Sequence, residues 1–170
     1  TRFVQPYLDH PPFGALILSA FVSDNVKTFS DLTPFDFRKA SLWLGIVSGF
    51  LIFLLGWQVF NNPFIGLLAA SIYGTVPTFV LLSRYALLEN VLNPLILLTL
   101  NLLLFSQKIN PSYFRAILIL AGVISGLAAL TKIIGWFVLF LGLILLRYWK
   151  FNLKELLFFA VPSILIGLIY

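Results

Sequence analysis

The chain has 170 residues, of which 61% are hydrophobic, 16% aromatic and only 10% charged, with a formal net charge of +5. Soluble domains carry about 25% charged residues, so this composition excludes an ordinary water-soluble globule and reads as a polytopic membrane protein. The absence of Cys excludes disulfides, thiolate metal sites and Cys nucleophiles, a lone His leaves no zinc cluster, and cations scattered at the ends of apolar segments speak for membrane topology and phosphate contacts rather than nucleic acid.

Residue 1 is Thr, there is no Met, and the apolar segment 155–170 stops without a polar flank, which reads as an internal fragment. No cleavable signal peptide is visible at the start. Residues 1–39 are the long polar stretch, holding Asp9, Asp24, Asp31 and Asp36 with Arg2, Lys27, Arg38 and Lys39. Near its start stands Tyr7-Leu8-Asp9-His10-Pro11-Pro12-Phe13-Gly14. A polar loop stiffened by two prolines is not needed to hold spans together and points to chemistry at the membrane surface. Residues 13–22 are apolar but shorter than the roughly 20 residues of a span. They predict an interfacial helix started by Pro11-Pro12.

Span one is expected at 40–60, about 31 Å of helix against a hydrocarbon core of about 30 Å. Asn61-Asn62-Pro63 is a turn signal. Span two is expected at 64–82 with a kink at Pro77, and Ser83-Arg84-Tyr85 makes a very short connection. Span three is expected at 86–106, with Glu89, Asn90 and Asn93-Pro94 in its first turns, followed by a polar loop at 107–115. Residues 116–146 are apolar apart from a few polar positions, and Lys132 lies almost at their midpoint. At about 46 Å as one helix they are too long for one upright span. The reading adopted is two short spans meeting at Thr131-Lys132 on the membrane surface; the alternative is one long tilted helix with Lys132 snorkelling or buried. Gly122 and Gly126 form a small-xxx-small pair for close helix packing. A basic loop at 147–154 precedes a final span from Glu155. Trp43, Trp57, Trp136 and Trp149 fit an interfacial belt.

The expected architecture is an all-α transmembrane bundle of about six spans or part-spans. It divides into an extracytoplasmic loop with an interfacial helix (1–39) and a bundle (40–170). On that topology the connections at 61–63, 107–115 and 147–154 share one side and carry Lys108, Arg115, Arg147, Lys150 and Lys154; the positive-inside rule makes that side cytoplasmic. The opposite side gathers Asp9, His10, Arg38, Arg84, Glu89 and Lys132. Ionisable residues in spans usually face protein or a water-filled cavity, and cations with a carboxylate among them suit a phosphate headgroup. Structural alternatives stand beside this. Arg38 and Lys39 can anchor a span end, Arg84 can pair with Glu89, Lys132 can snorkel, and His10 can be a simple loop residue.

The pattern resembles the polytopic GT-C glycosyltransferases of the protein O-mannosyltransferase and lipid A aminoarabinose transferase type. His10-Pro11-Pro12-Phe13-Gly14 is similar to that family's His-Pro-Pro-Leu-Gly element. Arg38 is followed by Ser41 and Gly45 at the start of a span. Ser83-Arg84-Tyr85-Ala86-Leu87-Leu88-Glu89 is similar to Ser-Arg-x-x-Leu-Leu-Asp, and Gly126-Leu127-Ala128-Ala129-Leu130-Thr131-Lys132 to Gly-Leu-Ala-x-x-Thr-Lys. The resemblance implies sugar transfer from a polyprenyl-phosphate carrier to a lipid, glycan or protein acceptor, with no cofactor. Transfer is expected on the extracytoplasmic face of a membrane, expected to be a prokaryotic plasma membrane, by one inverting displacement. It further implies that Arg38, Arg84 and Lys132 bind or orient phosphate, that Glu89 orients a cation or lines the site, and that His10, Pro11 and Pro12 shape the loop over the carrier. Two departures stand out. The family's catalytic carboxylates precede the His-Pro-Pro element, so the main one is expected upstream of Thr1, with Asp9 a poor local substitute; the fragment alone is expected to be inactive. Glu89 replaces the family's Asp. The rival readings are a transporter or lipid flippase, which calls for an internal repeat and a midplane site, and a non-catalytic membrane scaffold.

Overall fold

The computed structural model describes residues 11–22, 28–31, 33–82, 85 and 87–169. Among them there is no strand, and the helices are α1 (Phe13–Ser19), α2 (Pro34–Phe60), α3 (Pro63–Thr75), α4 (Pro77–Leu82), α5 (Leu88–Ser106), α6 (Pro111–Thr131), α7 (Trp136–Tyr148) and α8 (Leu153–Gly167). The protein is therefore an all-α polytopic bundle. α2, α5 and 113–131 of α6 are long and apolar enough to cross a membrane; α3 and the helical stretch 133–148 are apolar but shorter.

Local chemistry explains the boundaries. α2 starts at Pro34, well ahead of Ala40, because Thr33 and Asp36 form a capping box: the Thr33 hydroxyl accepts from the Asp36 N–H at 3.3 Å, and the Asp36 carboxylate accepts from the Thr33 N–H at 3.1 Å. It ends at Asn61, whose φ of 52° is the left-handed cap, and the Asn62 side chain accepts from the Phe64 N–H to start α3. The expected kinked span 64–82 is interrupted instead. Pro77 disfavours helical geometry at the preceding residue, and Val76 is extended at φ −66°, ψ 119°, so α3 and α4 are separate helices. By contrast, Pro94 and Pro162 lie inside continuous helices. The apolar stretch 116–146 breaks at Lys132, as the two-span reading expects, with a short 3-10 turn over Ile133–Gly135. α8 begins with a second capping box, Asn152 with Glu155.

α5 packs between α2 and α6, and α6 packs along α8. Gly122 and Gly126 permit the α6–α8 contact: a Cβ on Gly122 would strike the Phe159 carbonyl, and one on Gly126 would lie 2.8 Å from the Ser163 carbonyl. Ser163 and Ser125 hydrogen-bond at 3.0 Å inside that seam. The core lies among α5, α6, α7 and α8, built on Leu103, Leu118, Leu139, Leu146 and Phe159. A polar clasp ties α2 to α5: Gln58 donates to Asn101 at 2.7 Å, and Asn101 donates to the carbonyls of Leu51 and Leu97. Large side chains such as Ile46, Phe50, Leu67, Phe140 and Ile144 remain exposed and face where lipid would lie.

Candidate functional site

The chain alternates direction, so α2 and α5 begin, and α4 and α6 end, at one end of the bundle. Three features gather there. The first is the break after α6. Lys132 is extended at φ −157°, ψ 145°, its N–H donates to the Ala128 carbonyl at 3.2 Å, and its carbonyl accepts from the Gly135 N–H at 2.7 Å. Position 135 needs glycine because a Cβ there would run into the Ala128 carbonyl. The tight re-entry sends the Lys132 side chain across to α5, where Nζ meets Glu89 Oε1 at 2.5 Å. The side chains are 29% and 44% exposed, so the pair is partly wet. Glu89 lies in the first turn of α5, where the helix dipole favours a carboxylate.

The second feature is the start of α5. Asn90 is buried, and its amide donates to the carbonyls of Leu82 and Tyr85 at 3.0 and 2.6 Å. One side chain thereby fastens the end of α4 and the turn after it beside Glu89. The third is α1. Pro12 occupies its N-cap, and the helix rests on the α5–α6 junction through Gly14, where a Cβ would lie 2.7 Å from Leu88 and 2.9 Å from Thr131. Pro11 and Pro12 therefore stand next to the helix that covers the break.

Of the residues singled out in the sequence, Lys132 and Glu89 are brought into direct contact, and Pro11 and Pro12 are placed at the start of α1. Arg38 lies on the second turn of α2, exposed, in a groove with Thr33, Pro34, Phe35 and Leu42; among the described residues it has no ion-pair partner. Asp9, His10 and Arg84 lie outside the described residues. Two residues of this end were not assigned a role from sequence. Asp36 is a buried carboxylate, 5% exposed, which the Thr33-x-x-Asp36 capping pattern signals. Asn90 holds the connection before α5, and its signal is a polar amide in the first turn after a very short link.

The Lys132 ammonium has three N–H donors, and Glu89 engages one of them. A cation held by a carboxylate, at the edge of water, beside interrupted helices, suits an anionic group arriving from the membrane surface. A family model described as dolichyl-phosphate-mannose-protein mannosyltransferase matches residues 8–168. No curated protein and no solved structure matches the chain. With that match covering nearly the whole helical bundle, the chain belongs to the dolichyl-phosphate-mannose-protein mannosyltransferase family, membrane glycosyltransferases of the mannosyltransferase type.

Proposed function

We propose that this protein transfers a sugar from a polyprenyl-phosphate carrier to a lipid, glycan or protein acceptor at the end of the bundle where Lys132 and Glu89 meet. The Lys132–Glu89 pair, whose chain neighbours Thr131 and Leu88 touch α1, carries this reading, because it offers a positioned cation at one end of the bundle in a chain of this family. The opposite end bears the exposed Lys108, Arg147, Lys150 and Lys154, which supports a cytoplasmic position there and an extracytoplasmic site; the membrane proposed is a prokaryotic plasma membrane.

In the proposed step the acceptor hydroxyl oxygen attacks the anomeric carbon, the bond from that carbon to the phosphate oxygen breaks, and the hydroxyl proton passes to a carboxylate base. One displacement inverts the anomeric configuration. Lys132, Arg84 and Arg38 offset charge gathering on the departing phosphate. Glu89 orients Lys132, and His10, Pro11 and Pro12 shape the cover over the carrier. None of the described carboxylates at this end is assigned as base, since Glu89 holds Lys132, Asp36 caps α2 and Asp31 accepts from the Thr28 N–H.

The test uses the full-length protein in detergent with polyprenyl-phosphate-linked mannose, following release of free polyprenyl phosphate. Lys132→Ala and Arg84→Ala should each lower release by about 10²–10³-fold, the scale of losing one preorganised charge stabiliser, with the melting temperature of Lys132→Ala shifting by no more than about 2–4 °C. Failure of the wild type to release carrier, together with movement of carrier between leaflets, would establish a flippase instead.

A further inference from the structure

The seam between α2 and α3 changes width along its length. Toward Asn61 the backbones touch: a Cβ on Gly56 would lie 2.9 Å from Gly66 Cα, and one on Gly66 would run into the Phe53 carbonyl. Toward Arg38 the helices part. A Cβ on Gly49 would meet only the Tyr73 ring, at 3.7 Å, and one on Gly74 would meet nothing within 4 Å. The gap is a slot of about 300 Å³ walled by Gly45 and Gly49 of α2, Tyr73 and Gly74 of α3, and Phe79 and Val80 of α4. The interruption at Val76 sets its third wall, with the rings of Tyr73 and Phe79 stacked across it at 5.1 Å.

Leu42 lines both this slot and the groove around Arg38. Positions 38, 42, 45 and 49 fall on one face of α2 at helical spacing, so a cation and an apolar slot form a single track. From Arg38 to Gly49 the track runs about 16 Å, roughly half a hydrocarbon core, and the Gly56–Gly66 contact closes its far end. Its mouth lies beside the end of α4, which Asn90 ties next to Glu89. The charge at the mouth complements a phosphate. The narrow width between three helices suits one chain rather than the pair of a phospholipid, and the missing side chains at Gly49 and Gly74 leave room for methyl branches. Building on the transferase reading above, we propose that this slot seats the first isoprene units of the donor's prenyl chain, with Arg38 at its phosphate end.

The test uses the full-length protein in phospholipid nanodiscs with a polyprenyl phosphate carrying a diazirine in its first isoprene units. Photolysis should label the peptides bearing 42–49 and 73–80. Gly74→Leu should cut that labelling about tenfold, the loss of roughly two buried methylene groups from the bound chain. Leucine is also the better helix former, so the variant's melting temperature should not fall. Unchanged labelling in Gly74→Leu, or labels confined to other helices, would overturn the seat. So would labelling by a diazirine phospholipid that polyprenyl phosphate does not displace. Labelling of the slot in a protein that transfers no sugar would leave the seat standing and sink the transferase reading; transfer without slot labelling would do the reverse.

Discussion

If Glu89 acts only by holding Lys132, the two residues must behave as one unit, and a double-mutant cycle exposes this. Glu89→Gln keeps the shape of the side chain and removes its charge; Lys132→Ala removes the cation. The effect on stability should be small. The side chains are 29% and 44% exposed, and ion pairs with that access to water contribute at most about 1 kcal/mol, or a melting shift of about 2–4 °C in a chain of this size. Transfer is another matter, because the ammonium is placed where charge develops. Lys132→Ala should lower kcat/KM by about 10²–10³-fold, and Glu89→Gln, which leaves the ammonium present but untethered, by about tenfold, or 1.4 kcal/mol. The combined variant should be no slower than Lys132→Ala alone, since there is no longer an ammonium to orient. The assay is release of polyprenyl phosphate at subsaturating donor, with thermal unfolding of all four proteins as the control. Losses that multiply in the double variant would refute the reasoning and show that Glu89 also acts through a partner other than Lys132.

Other expectations concern the scaffold. Gly122→Leu should lower stability by about 1–3 kcal/mol through overpacking, because its side chain would press on the Phe159 backbone; thermal unfolding in detergent reads this, and an unchanged midpoint would mean that α6 and α8 do not approach as described. Asn101→Leu should cost about 1–3 kcal/mol by leaving the part-buried Gln58 amide without its acceptor, measured in the same way. Asn90→Ala should speed amide hydrogen exchange at 85 and 87–89 while the exchange of α6 stays as it was, since Asn90 is what draws the Leu82 and Tyr85 carbonyls to α5. Thr33→Ala should destabilise the first turn of α2 by about 1 kcal/mol, visible as faster exchange at 35–37.

Much of the bundle was legible because membrane helices announce themselves by length and apolarity. The break at Lys132 followed from a simple mismatch between an apolar stretch of about 46 Å and a core of about 30 Å. Gly122 and Gly126 announced a close helix contact, and the structure supplies α8 as the partner. Boundaries set by side-chain hydrogen bonds were harder to read. Thr33 and Asp36 extend α2 through residues whose polarity suggested a loop. The effect of a proline also depends on what surrounds it: Pro94 is tolerated inside α5, whereas Pro77 separates α3 from α4. The contact between Glu89 and Lys132 joins residues 43 positions apart. No local periodicity encodes such a pairing. Topology placed both residues at one end, and only the packing of α5 on α6 makes them partners.

The two ends of the bundle differ in a way that bears on function. At the Asn61 end the turns are tight and capped: Asn61 and Asn62 close α2 and open α3, and Asn152 and Glu155 open α8. The interruptions lie toward the other end. α3 and α4 part at Val76, α5 starts only after the short link that Asn90 holds, and α6 stops at Lys132 for a 3-10 turn. Backbone groups freed at membrane depth are costly, and irregular chain persists there only where protein covers it or it lines a wet cavity. Gly135 and Gly14 pack closely at the Lys132 break, and Asn90 satisfies the Leu82 and Tyr85 carbonyls ahead of α5. A bundle selected for stability alone gains nothing from three such interruptions at one end. They are accounted for if that end must admit a charged headgroup while the helices below it stay in lipid, and the Lys132–Glu89 pair stands where the headgroup would arrive.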